Sequence, residues 1–186
     1  MVRRTVTALL LIVTILPAVY FGGVPYFLYM SLFVVTASVE YVYIFQTTKY
    51  EPSLPITVGG TLLILFMRTF LPGWAEVAFT GLILLAMTFH LFAYERGREQ
   101  AALDFVITVG GFTYLGWVAA YIIDLRTLPQ GAWWVLVVFP IVWMSDSGAY
   151  MIGARYGRHK MFKRISPKKS WEGYLAGIFM GICYGG

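Results

Sequence analysis

Charge is scarce in this sequence. Asp, Glu, Lys and Arg make up 12% of its 186 residues, against roughly 25% in a water-soluble domain, and so few charges cannot clothe a water-facing surface of this size. Cysteine is scarcer still. Cys183 stands alone, which excludes an internal disulfide framework and a multi-cysteine metal site. A lone thiol in an apolar run reads as packing, so it leaves the redox compartment open. Apolar residues fill the space instead: 59% are hydrophobic, and six Trp, thirteen Tyr and fourteen Phe suit a bilayer protein with aromatic belts.

A hydrocarbon core about 30 Å thick needs about 20 mostly apolar residues in a helix. Six segments meet that test: Thr5–Phe21, Pro25–Gln46, Pro55–Leu71, Trp74–Tyr94, Ala101–Ile123 and Gly131–Gly153. A seventh begins near Trp171 and is still running at Gly186. Open sheet edges cannot lie in lipid. The predicted fold class is therefore all-α: a polytopic transmembrane helical protein with six complete spans and a truncated seventh. It forms one transmembrane domain over 1–186, with five spans in 1–130 and a span, a basic loop and a further helix start in 131–186. Arg3 and Arg4 precede an apolar run as in a secretory signal. However, hydrophobicity continues through Tyr20 and Phe21 and no small-x-small cleavage site follows, so the first span is read as retained.

Placing the amino terminus in the cytoplasm puts twelve of the fourteen Lys and Arg residues on that side, with only Arg68 and Arg126 outside. This bias sets the orientation. Pro17 and Pro140 predict kinks in the first and sixth spans. The pentamer Ile-Thr-Val-Gly-Gly occurs at Ile56–Gly60 and again at Ile107–Gly111. A duplicated helix pair would produce this, and so would coincidence, since glycine is common where membrane helices touch.

Ionisable groups within spans cost a few kcal/mol each and are functional candidates by default. Glu40, His90, Asp104 and Asp146 fall in or at the edge of spans, all toward the cytoplasmic side. His90 and Asp104 read as headgroup-level residues, and Glu40 as a packing partner for a neighbouring helix. Asp146 differs. Ser145 and Ser147 flank it, and Tyr150 follows one turn later, so Asp146, Ser147 and Tyr150 are expected on one face. A carboxylate among hydroxyls suits a hard cation or a phosphate held through one.

The following loop, Gly153 to Gly173, is dense in cations. One reading is an anchor on anionic lipid, each cation worth about 1 kcal/mol. Another is a phosphate site. Gly153 and Gly157 allow close backbone approach, and Ser166-Pro167 followed by Lys168-Lys169-Ser170 reads as a stiff turn feeding a helix, with backbone N–H groups and lysines for a polyphosphate. Ser170 would cap that helix, with Glu172 in its first turn.

Ser145-Asp146-Ser147-Gly148-Ala149-Tyr150, then Gly153 and Gly157, then Ser166-Pro167-Lys168-Lys169-Ser170-Trp171-Glu172-Gly173 closely resembles the phosphatidate cytidylyltransferase, or CDP-diglyceride synthase, family. The match is dense over about thirty residues, while the five preceding spans agree only in hydrophobicity. The resemblance implies an enzyme taking CTP and phosphatidic acid to CDP-diacylglycerol and pyrophosphate. It also implies Mg²⁺, with a monovalent cation such as K⁺ in some members, and a lipid bilayer but no nucleic acid as partner. It makes Asp146 a cation ligand or the orienter of one, and lets Ser145, Ser147 and Tyr150 bond phosphate. Lys169 with Ser166, Lys168 and Ser170 would hold the nucleotide phosphates. Glu172 would orient Lys169 or cap the helix, and Lys160 and Arg164 would draw anionic substrates in. The short loops and the lack of a transit peptide favour a bacterial plasma (inner) membrane. GxxxG-type contacts leave a homodimer open.

The chain departs from the family pattern in one way. A second signature, including a Pro-Gly-His-Gly-Gly run leading to Asp-Arg-x-Asp, is absent. Together with the unfinished apolar helix, this reads as an amino-terminal fragment, inactive alone, whose main metal ligands lie beyond residue 186. A CTP-dependent lipid kinase, which would transfer the γ-phosphoryl group, is the alternative enzyme. A membrane transporter is the alternative from another class, and it predicts polar residues reaching both faces.

Overall fold

The computed structural model describes residues 13–185. Residues 13–21 form helix α1, so the expected first span, Thr5–Phe21, lies partly outside the described residues. The chain then turns at Gly22 and Gly23, whose φ values of +62° and +50° suit residues without a Cβ. Next come α2 (Gly23–Gln46), α3 (Leu54–Phe70), a 3₁₀ turn at Pro72–Trp74 and α4 (Ala75–Glu95). Helix α5 (Ala101–Phe112) passes through a π-helical stretch, Thr113–Val118, into α6 (Ala119–Thr127). Helix α7 (Gly131–Tyr156), strands β1 (Lys160–Phe162) and β2 (Ser166–Ser170), and helix α8 (Trp171–Gly185) complete the described chain. These elements form two compact units, Met1–Pro129 and Gln130–Gly186.

Among the described residues, four helical stretches are long and apolar enough to cross a membrane: Gly23–Gln46, Pro72–Glu95, Ala101–Thr127 and Gly131–Tyr156. Helix α3 is apolar but has 17 residues. Between 11% and 33% of each apolar window is buried inside the protein. Exposed apolar surface on that scale belongs against lipid, and the chain is a helical membrane protein. Helix α7 runs unbroken across Pro140.

One expectation is corrected here. The stretch Ser166–Ser170 is not a turn but an extended strand, paired antiparallel with β1, so the fold carries a small β-hairpin among its helices. The hairpin belongs to a loop rather than a span, where water can satisfy its open edges.

In the first unit, Ile64, Leu82, Ala86 and Phe112 form the buried centre. Phe79 packs edge-on to Phe112 and tilted against Trp117. The two Ile-Thr-Val-Gly-Gly pentamers lie where α3 meets α5. A Cβ on Gly60 would fall 3.4 Å from Phe112 Cβ, and one on Gly111 only 2.7 Å from Thr57 Cγ2. The second glycine of each pentamer is thus the point of closest approach.

Two buried ionisable groups of this unit, Asp104 and His90, are hydrogen-bonded, which revises two readings. Asp104 and His90 are not solvated at a headgroup surface but buried, at 1% and 3% exposure. Asp104 accepts from the Glu51 backbone N–H (2.7 Å) and from Arg98 Nε (2.7 Å). Arg98 also donates to the Lys49 carbonyl (2.7 Å) and meets Glu51 Oε1 (3.3 Å). The hydrogen bond with Asp104 is the main influence raising the Arg98 pKa above its already high value, so the guanidinium stays charged. Thr108 Oγ1 donates to the Asp104 carbonyl and accepts from the Ser53 N–H. With its own proton committed, it accepts the 3.0 Å bond from His90 Nε2, which must carry hydrogen. The loop between α2 and α3 is held through this network. Glu40, expected to pair with a neighbouring helix, is exposed.

Arg68 and Asp124 form an ion pair between α3 and α6. The Arg68 guanidinium lies 4.8 Å from the ring centres of both Trp117 and Tyr121, a cation–π arrangement. Arg126 donates to the Val19 carbonyl (2.7 Å) and the Tyr20 carbonyl (3.1 Å), satisfying acceptors at the end of α1.

Candidate functional site

The second unit is built on the seam between α7 and α8. Glycine occurs at every fourth position of α8, at Gly173, Gly177, Gly181 and Gly185, which aligns the four along one face. A Cβ on Gly173 would lie 2.7 Å from the Ala149 carbonyl oxygen, and one on Gly177 3.0 Å from that of Ser145. From the other side, a Cβ on Gly148 would lie 2.6 Å from Met180 Cγ. The two backbones therefore approach as closely as small residues allow. Ser145 Oγ, donating to the Gly177 carbonyl at 2.9 Å, locks the seam.

Farther along, Gly181 and Gly185 leave an open groove of about 490 Å³ between the helices. Its lining is apolar, from residues such as Ile141, Val142 and Ile178, except at Ser145 and Asp146. Asp146 is exposed in this groove, and it belongs to none of the ion pairs among the described residues. It is thus a carboxylate with acceptor capacity to spare, in apolar surroundings. Ser147 and Tyr150 do not line the groove. Tyr150, one turn nearer the loop, is 75% exposed.

At the loop end, the hairpin pairs Lys160 with Ser170 and Phe162 with Ser166. Two steps along β1 thus match four along β2, and the excess bulges out at Pro167, Lys168 and Lys169. Proline has no N–H for the ladder, and a bulge is where a strand can hold one. Lys168 and Lys169 are exposed on this bulge, as are Arg155, Arg158, Lys160, Lys163 and Arg164.

The base of the hairpin is fixed. The Trp171 N–H donates to the His159 carbonyl at 3.0 Å. Glu172 accepts from the His159 backbone N–H at 3.0 Å and meets its Nδ1 at 2.6 Å. Glu172, in the first turn of α8, is thus engaged with His159. Ser170, 4% exposed, accepts from the Gly173 N–H at 3.3 Å and caps α8. Gly157 faces its side chain so closely that a Cβ there would overlap Ser170 Cβ.

Asp146 lies seven residues before Gly153, the α7 position facing Ser170, or about 10 Å along the axis. The seam therefore joins the groove carboxylate at one end to the cationic hairpin at the other. Among the described residues no three His, Cys, Asp or Glu side chains gather into a metal site. Asp146 offers one hard oxygen donor group. Magnesium accepts one or two carboxylates when substrate phosphates and water complete its shell, so Asp146 fits as one donor of such a set.

The second unit thus combines a groove holding an exposed carboxylate with a cation-bearing loop at the far end of the same helix seam. The chain belongs to the cytidylyltransferase family, whose model matches residues 2–186, and it is a nucleotidyltransferase. It is similar to proteins named phosphatidate cytidylyltransferase in three staphylococci. Identity is 27% over 183 residues with that of Staphylococcus aureus (strain COL), 31% over 183 residues with that of Staphylococcus epidermidis (strain RP62A), and 27% over 182 residues with that of Staphylococcus saprophyticus. Each comparison covers 96% of this chain and 68% of the relative. No solved structure matches the chain.

Proposed function

We propose that this chain belongs to an enzyme that transfers the cytidylyl group of CTP to phosphatidic acid, giving CDP-diacylglycerol and pyrophosphate. The observation that carries this reading is the exposed Asp146 carboxylate in the α7–α8 groove, with the seam leading to a bulge bearing Lys168 and Lys169. The lipid cannot leave the bilayer and the triphosphate cannot enter it. A groove between two helices, joined by their seam to a cationic loop about 10 Å along the axis, gives each a place to bind.

In the reaction a phosphate oxygen of the lipid attacks the α-phosphorus of CTP. The new P–O bond forms as the bond to the β-phosphate oxygen breaks, and pyrophosphate leaves with its charge. Catalysis of this kind rests on positioning and charge neutralisation. Lys168 and Lys169, with Ser166 beside them, hold the β- and γ-phosphates and stabilise the leaving pyrophosphate. Lys160 and Arg164 raise the local concentration of anions. Ser147 and Tyr150 bond lipid phosphate at the helix face. Ser145 and Ser170, committed to the seam and to the α8 cap, act by holding the geometry. Asp146 would be one of the donors that hold Mg²⁺, whose charge would neutralise phosphate, and a monovalent cation such as K⁺ would be a second ion of the reaction. On this reading six helices span the membrane ahead of α8, with the amino terminus and basic loops on the cytoplasmic side of a plasma membrane, and contacts of the GxxxG type leave a homodimer open.

The test is reconstitution of the full-length enzyme with CTP and phosphatidic acid. CDP-diacylglycerol and pyrophosphate are the expected products. Release of CDP with a phosphorylated lipid would instead assign a kinase, and no turnover of CTP would end the proposal.

A further inference from the structure

The hairpin has a second end, whose one part in the transfer proposed above is the long-range pull of Arg164 on anions. Its turn, residues 163–165, lies at the opposite end of β2 from Ser170. There Phe162 and Ile165 are 53% and 85% exposed, and Lys163 and Arg164 between them are exposed as well. Two apolar side chains bracket two cations in four consecutive residues, outside every span.

The surroundings define where this turn can reach. Strand β1 is three residues long, so the turn stands only about 10 Å beyond the helix ends at roughly 3.3 Å per residue. Tyr156, Trp171 and Tyr174, all at least half exposed, ring those ends and mark a membrane–water boundary. The clasp of Glu172 on His159 and the Ser170 cap hold the base in place. The unit carries seven Lys and Arg residues against two Asp and Glu residues, so its loop end is complementary to an anionic surface.

We infer that the Phe162–Ile165 turn is an interfacial anchor. Phe162 and Ile165 enter the headgroup–acyl boundary of the bilayer that holds α7, and Lys163 and Arg164 bind the phosphates of anionic lipids around them. The hairpin is thereby divided: the Pro167–Lys169 bulge faces the nucleotide, and the turn faces lipid. The anchor stands whether or not the substrates are those proposed above, because it requires only a membrane.

The test uses the full-length chain in vesicles, cysteine-free apart from Ile165→Cys, labelled there with an environment-sensitive fluorophore. In phosphatidylglycerol vesicles the emission is expected to shift to the blue and to be quenched severalfold by lipids carrying a shallow spin label, with weaker quenching at high salt. A water-like emission would overturn the inference. So would a blue-shifted emission that shallow spin labels leave unquenched, because the residue would then be covered by protein, whether a second copy or another segment. A label-free measurement covers the unsubstituted side chain. Tryptic cleavage after Lys163 and Arg164 is expected to be severalfold slower in phosphatidylglycerol than in phosphatidylcholine vesicles, and equal rates would overturn the inference.

Discussion

The two units carry equal numbers of basic side chains and balance them differently. Residues 1–129 hold seven Lys and Arg against seven Asp and Glu, whereas residues 130–186 hold seven against two. The net charge of +5 therefore resides in the second unit. In the first, Arg68, Arg98 and Arg126 are each bound to a carboxylate or a carbonyl, and Asp104 is fully enclosed. In the second, the cations stand exposed, and Asp146 faces an open groove. Paired charge holds helices and loops together. Unpaired charge near a membrane leaves binding capacity for something that is not part of the chain.

Substituting the exposed Asp146 and the buried Asp104 tests this contrast most directly. Asp146→Asn in the full-length enzyme should lower turnover of CTP by at least about 100-fold, as expected when a transition-state electrostatic contact is lost, while the thermal unfolding midpoint in detergent stays unchanged. Asp104→Ala should do the reverse. Removing one partner of a buried pair costs about 3 kcal/mol, so unfolding should move to clearly lower temperature while the activity per folded molecule persists. If both variants behaved alike, the division between the units would fail.

Smaller effects sharpen the picture within the second unit. Lys169→Ala should raise the KM for CTP about tenfold, the weight of one charged hydrogen bond, and leave stability untouched. Gly173→Ala places a Cβ against the Ala149 carbonyl, and overpacking of this kind costs about 1–3 kcal/mol. Thermal unfolding should register that loss, and the seam should open, so that activity falls with it. The smallest change is expected from Glu172→Gln, which keeps one acceptor for the His159 N–H and loses the carboxylate. A loss of activity of about twofold to threefold, as for an exposed ion pair, would mark the clasp as a positioning contact.

Much of this was legible in the chain. The apolar runs announce membrane helices because lipid imposes their length and forbids unpaired backbone. The Ser145–Tyr150 and Ser166–Gly173 segments carry the family resemblance, and the family match bears it out. The hairpin was not legible, because Ser166–Ser170 has the composition of a turn and its partner strand is three residues long. The Asp104–Arg98 network escaped too. Its members come from three separate stretches, and nothing in the spacing of Glu51, Arg98 and Asp104 says that they meet. The four-residue glycine spacing of α8 was visible as a pattern. What it packs against was not, since a small-residue face suits a second copy as well as a neighbouring helix.

The sequence by itself determined that this is a helical membrane protein with a cation-rich segment after Asp146 and a nucleotidyltransferase motif, because hydrophobic length and local residue order are properties of the chain. Only the tertiary structure decided which charges neutralise one another and which remain open. Pairing depends on the distance between side chains brought together by helix packing, and that distance is written in no single stretch of residues.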